Sequence, residues 1–142
     1  MENVPSILVG VVVFLLGQYF LKLVLEPAVE VRQTIARARS VFDYHRNFAM
    51  NPPTTHTAPV DGQLAAQHAY REMAGSLRAA PAGVMGYGLV RRAFGCPSAN
   101  HINRAARAFV GLSNALMGGT EFSLDHAYEY GEEIKRNLGF PD

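Results

Sequence analysis

Residues 5–25 read PSILVGVVVFLLGQYFLKLVL, interrupted only by Gln18 and Lys22 among strongly polar side chains. A helix rises about 1.5 Å per residue, so about 20 residues cross the ~30 Å hydrocarbon core of a bilayer. The run is long enough to span, and a span places the remaining residues on one side. A cleaved signal carries basic residues ahead of a short apolar stretch and small residues at its cleavage site. Here the leading MENV holds Glu2 and no cation, and the expected cleavage zone reads LKLVLEP. A buried helix of a soluble domain is usually shorter and carries a polar stripe. The expectation is a retained single transmembrane helix, with residues 1–26 as the anchor.

The cations set a direction. All Lys and Arg residues lie at or after Lys22, with Arg32, Arg37 and Arg39 close behind the run. Lys22 can snorkel to the headgroups, and the bias of cationic flanks toward the cytoplasm acts over this distance. The expected arrangement is therefore a single pass with the N-terminus outside and the C-terminal domain in the cytoplasm. A lone Cys96 is compatible with a reducing compartment.

Past the anchor the pattern is helical, and the expected fold class is all-α. Glu26-Pro27 reads as a kink or break, because proline lacks a donor and clashes with the preceding turn. A juxtamembrane helix over 27–50 follows, with Ala28, Val31, Ile35, Ala38, Phe42, His45 and Ala49 stepping by three and four. That stripe is short and alanine-rich for a coiled coil, and packing on the chain's own domain is its better use. Residues 51–62, NPPTTHTAPVDG, form a Pro-stiffened linker. A helical cytosolic domain over 63–142 then holds a helix over 63–80, ending before Pro81, and a short one near 87–94. The next is capped by Ser98 and runs to Met117, ending at Gly118-Gly119. The last is capped by Ser123, with Asp125 favourable to its dipole. No segment alternates as a strand does.

The stretch FGCPSANHINRAARAFVGLSNALMGG, Phe94–Gly119, together with the anchor and its following LEP, resembles small uncharacterised bacterial single-pass membrane proteins. Those pair an N-terminal anchor with a helical domain containing a similar P-S…N…A…V-G-L-S-N pattern. The resemblance covers about a quarter of the chain. It implies architecture and bacterial origin, and it carries over no activity and no functional residue.

Candidate sites are few. Ser6 and Gly10 form a small-xxx-small pair, Gly17 lies one heptad further, and Gln18 could hydrogen-bond across an interface. These residues suggest homo-oligomerisation through the transmembrane helix. Formal net charge is only +1, but ten Arg between Arg32 and Arg107 face Asp43, Asp61 and Glu72, whereas the last helix is acidic. Arg91, Arg92, Arg104 and Arg107 make a basic patch without local acids. It either binds an acidic partner or pairs with Glu129, Glu132 and Glu133 of the same chain; nucleic acid is the less favoured partner. The histidines His45, His56, His68, His101 and His126 lack ligand spacing, and C-x4-H at Cys96 and His101 supplies too few ligands for zinc. The triplet Gly86-Tyr87-Gly88 is not a phosphate loop. Ser113, His101 and Asp125 have no diagnostic catalytic context, so no catalytic, cofactor or metal residue is assigned. Two function classes remain: a membrane-tethered interaction or regulatory module with an unidentified cytosolic protein partner, or an oligomeric membrane-acting effector, pore-forming or bilayer-disrupting, gated by its cytosolic domain.

Overall fold

In a computed structural model the described residues are 3–50, 61–116 and 124–140. They are helical throughout, joined by turns, with no strand among them. Helix α1 (Asn3–Phe20) passes through a π turn (Leu21–Leu25) straight into α2 (Glu26–Met50). After it come α3 (Asp61–Ala82), α4 (Tyr87–Phe94), α5 (Ala99–Ala115) and α6 (Leu124–Leu138). The expected linker loses its last two residues to the first turn of α3. Its remainder, 51–60, lies outside the described residues, as do Met117 to Ser123.

Pro27 does not break the helix. In a regular α-helix its ring would meet the carbonyl four residues back, and the missing N–H would leave that carbonyl unpaired. The π turn ends directly before it, with the Glu26 N–H donating to the Leu21 carbonyl, five residues back. A widened turn of this kind gives the ladder room to adjust around a side chain that cannot take part. Pro81 is similarly absorbed: α3 runs one residue past it, and the Gly83 N–H then bonds Ala79 O at 3.2 Å. Proline in the final turn removes few bonds, which is why the end expected before Pro81 falls after it.

Glycines close α4 on both sides. Gly86 (φ 70°) precedes it, and Gly95 (φ 64°) follows, with the Cys96 N–H reaching back to Arg91 O at 3.2 Å. Gly139 (φ 70°) ends α6 the same way, with the Phe140 N–H on Lys135 O at 3.0 Å. The left-handed conformation is accessible to glycine without a Cβ clash, and this closure satisfies a terminal carbonyl. Ser98 caps α5, its Oγ accepting from the His101 N–H at 3.2 Å.

The core lies where α2, α3, α5 and α6 meet. Ala28, Val31, Ala38, Phe42 and Ala49 of the α2 stripe are buried against the bundle, with Ile35 packed beside them. Alanine at this spacing lets α2 approach its neighbours closely. From α5, Ile102, Ala105, Ala106, Phe109 and Leu112 are buried; from α6, Ala127, Ile134 and Leu138. Phe42, Tyr70 and Phe109 interlock at centroid separations of 6.4 Å (Phe42–Phe109) and 5.7 Å (Tyr70–Phe109). Offset and edge-on ring pairs at this range add to the area they bury. His45 stands edge-on to Tyr70 at 5.9 Å. The Tyr70 hydroxyl and His45 Nδ1 are both buried without a hydrogen-bond partner.

Neighbouring helices run in opposite senses from α2 to α3 and from α5 to α6. Pro27 near the start of α2 borders the same groove as Val84, just past α3, while Phe48 lies against Gly62 at the other end. The bundle therefore has a proximal end beside the π turn and a distal end near Ala49. α1 reaches beyond the proximal end and packs on none of the bundle helices.

Candidate functional site

The most distinctive surface is α1 itself. Every large apolar side chain from Ile7 to Phe20 is 48% exposed or more, in a stretch where a folded domain would bury them. A contiguous apolar surface of this extent requires a non-aqueous environment or a partner. Among the described residues one helix is long and apolar enough to cross a membrane, and none of its most apolar stretch is buried.

Ser6, Gly10 and Gly17 fall within about 40° of arc on this regular helix, while Gln18 points about 100° away from the centre of that face. The small residues thus share a face that Gln18 does not. A Cβ added at Gly10 or Gly17 would meet nothing within 4 Å, so both faces are open in the monomer.

The four arginines proposed as one patch divide into two. Arg91 and Arg92 occupy the last turn of α4 and border a shallow depression with Gly86, Gly88 and Leu89. Arg104 instead shares a crevice between α5 and α6 with His101, Glu129, Glu133 and Arg136. Arg107 is exposed one turn further along α5. The described ion pairs, Arg39–Asp43 at 3.6 Å and Lys135–Glu132 at 2.9 Å, each lie within one helix. Arg104 therefore faces the acidic helix electrostatically, and Arg91 and Arg92 do not share that crevice. Arg91 and Arg92 of α4 and Arg104 of the α5–α6 crevice thus line different depressions.

The Val110-Gly111-Leu112-Ser113-Asn114 segment has a packing explanation. Leu112 and Ser113 are buried. Arg71 of α3 donates from Nε to Ser113 Oγ at 3.0 Å and from Nη2 to Asn114 Oδ1 at 3.4 Å, joining α3 to α5. Gly111 lies under the Tyr130 ring, where a Cβ would come within 2.6 Å of it. The motif is thus a set of helix–helix contacts. Ser113 and His101 stand twelve residues apart on α5, about 18 Å along its axis, so one substrate group cannot lie against both. Asp125 is exposed in the first turn of α6. The Ser/His/Asp trio is not assembled, and among the described residues no group of three or more His, Cys, Asp or Glu is placed to hold a metal ion.

Burial raises the Tyr70 hydroxyl pKa well above its ordinary value and lowers that of His45, because each loses water around its charged form. Burial likewise raises Tyr87, whose hydroxyl donates to Pro97 O at 2.7 Å and pins α4 to the turn before α5. Tyr70 and His45 shift through their mutual burial in the core, and Tyr87 through the contact that holds α4, so packing accounts for all three. Sequence reading missed the Tyr70–His45 contact because their approach depends on how α2 and α3 pack.

Compared with protein-family models, curated proteins and solved structures, the chain has no match. The resemblance carried by Phe94–Gly119 gains no relative from them.

Proposed function

We propose that this chain is a membrane-tethered helical interaction module, anchored once in the bacterial inner membrane with its bundle in the cytoplasm, where it recruits or regulates a protein partner. The observation that carries this reading is the continuity of α1 with α2: an exposed apolar helix and a bundle helix form one rod. An apolar surface of that kind is stable in hydrocarbon, and the cationic flank after Lys22 supports the direction. Self-association through Ser6, Gly10 and Gly17 is part of the proposal, since their face is open.

In alkaline extraction of membranes, the full chain should stay in the pellet, and Val12→Asp with Leu15→Asp should release it. An acidic residue at the centre of a span costs about 2.5–3.5 kcal/mol in insertion. Wild type in the soluble fraction would overturn the anchor. A reporter fused after Asp142 that works only outside the cytoplasm should stay silent; activity would overturn the direction. The bilayer-perforating alternative predicts ion leakage on expression that Gly10→Leu or Gln18→Leu abolishes, and no leakage under any trigger excludes it.

A further inference from the structure

Among the described residues outside α1, the two most exposed aliphatic side chains are Met85 at 82% and Leu89 at 76% exposure. They lie four residues apart, in the turn after α3 and the first turns of α4, and Arg91 and Arg92 follow at once. Val90, between them, is buried and holds α4 on the bundle. This arrangement is a short apolar edge with cations beside it, facing away from the core.

Its place in the fold says what it meets. Val84, next to Met85, borders the same groove as Pro27, so the turn sits at the proximal end of the bundle, and α4 packs on α2. Pro27 lies two to five residues past the Lys22–Leu25 boundary of the apolar run, about 3–8 Å along the helix. The headgroup layer on each side of the hydrocarbon is about 5–7 Å thick. A turn at the level of Pro27 therefore lies in or directly against that layer. Apolar side chains at such a depth can dip toward the acyl boundary, while neighbouring arginines meet lipid phosphates. No acidic residue occurs between Glu72 and Glu121, so the cations carry no local counter-charge in sequence.

We propose that the Met85–Arg92 edge is a second membrane contact, seating the bundle on the anionic headgroup surface of the bilayer that α1 spans. The proposal rests on the anchor reading. Two contacts, one spanning and one interfacial, would fix the tilt of the bundle, which a single helix leaves free.

The chain has no tryptophan, so single-tryptophan variants report on position directly. Full-length Leu89→Trp, Val12→Trp and Tyr128→Trp are each reconstituted in vesicles of phosphatidylcholine with acyl-chain bromines, with and without phosphatidylglycerol. Tyr128, at the distal end and 58% exposed, is the far control. The expected result is a blue shift and quenching at Leu89→Trp in anionic vesicles, quenching at Val12→Trp in both, and none at Tyr128→Trp. Adding Arg91→Ala with Arg92→Ala to Leu89→Trp should abolish most of its quenching. Quenching at Val12→Trp without any at Leu89→Trp overturns the second contact and leaves the anchor standing; none at Val12→Trp overturns both. Equal quenching at Leu89→Trp in neutral vesicles, or equal quenching at Tyr128→Trp, also overturns the proposal, the latter because the bundle would then lie on lipid without a preferred edge.

Discussion

Gly111 shows how a residue that reads as a helix defect is a packing requirement. Glycine in a helix interior costs roughly 0.5–1 kcal/mol against alanine through backbone entropy. Here the missing Cβ makes room for three ring atoms of Tyr130 within 2.8 Å of where it would be. Carbons of the ring itself, not a flexible tip, occupy the space, so relief requires the ring to swing or α6 to move. Gly111→Ala should therefore destabilise the full chain by about 1–3 kcal/mol despite its better helix propensity. Thermal unfolding in detergent checks this, and combining it with Tyr130→Ala should cost less than the two single changes together. From sequence the glycine was one letter of a recurring pattern. Its partner is nineteen residues away and becomes visible only when α5 and α6 pack.

At the scale of elements, what could be read in advance is what depends on near neighbours in the chain. The α5 stripe from Ile102 to Leu112 follows helical spacing and is buried. Ser98 precedes it with a hydroxyl at capping distance, and the bond is present at 3.2 Å. Ser98→Ala should cost about 1 kcal/mol, and Ser98→Asp should recover most of it; thermal midpoints of the two variants decide the matter. That no break forms at Pro27, and that α3 ends after Pro81 rather than before it, has a physical reason. That proline interrupts a helix is a statement about one regular ladder, and the chain answers by widening the ladder before Pro27 and by placing Pro81 in a final turn. For the arginines, sequence did not say that Arg91 and Arg92 line one depression and Arg104 another, because that depends on how α4, α5 and α6 pack.

For the molecule as a whole, the least settled part of the core is the aromatic junction of α2, α3 and α5. His45 packs against Tyr70 with a buried nitrogen that has no partner, and burial holds its pKa below the ordinary 6.5. The unfolded chain therefore takes up that proton first as pH falls. The stability associated with neutral His45 is fully present above about pH 6.5 and declines below it, toward the lowered folded value. Thermal midpoints of the full chain in detergent should fall between pH 7 and pH 5.5, with a shallower slope in His45→Phe; equal slopes would remove His45 from the account. All-helical architecture and the apolar run were plain from composition and periodicity. How the bundle sits against that run was not, because it is fixed by the antiparallel packing of α3 on α2.

The unbroken passage from α1 into α2 carries a mechanical consequence. A flexible joint would isolate the two parts, letting one turn while the other stayed at rest. Here the described helix from Asn3 to Met50 departs from the regular ladder at one widened turn before Pro27, and a continuous helix passes a twist or lean at one end on to the other. In the proposed arrangement, whatever pairs, crowds or tilts the buried half would steer the bundle as a shaft steers a rudder.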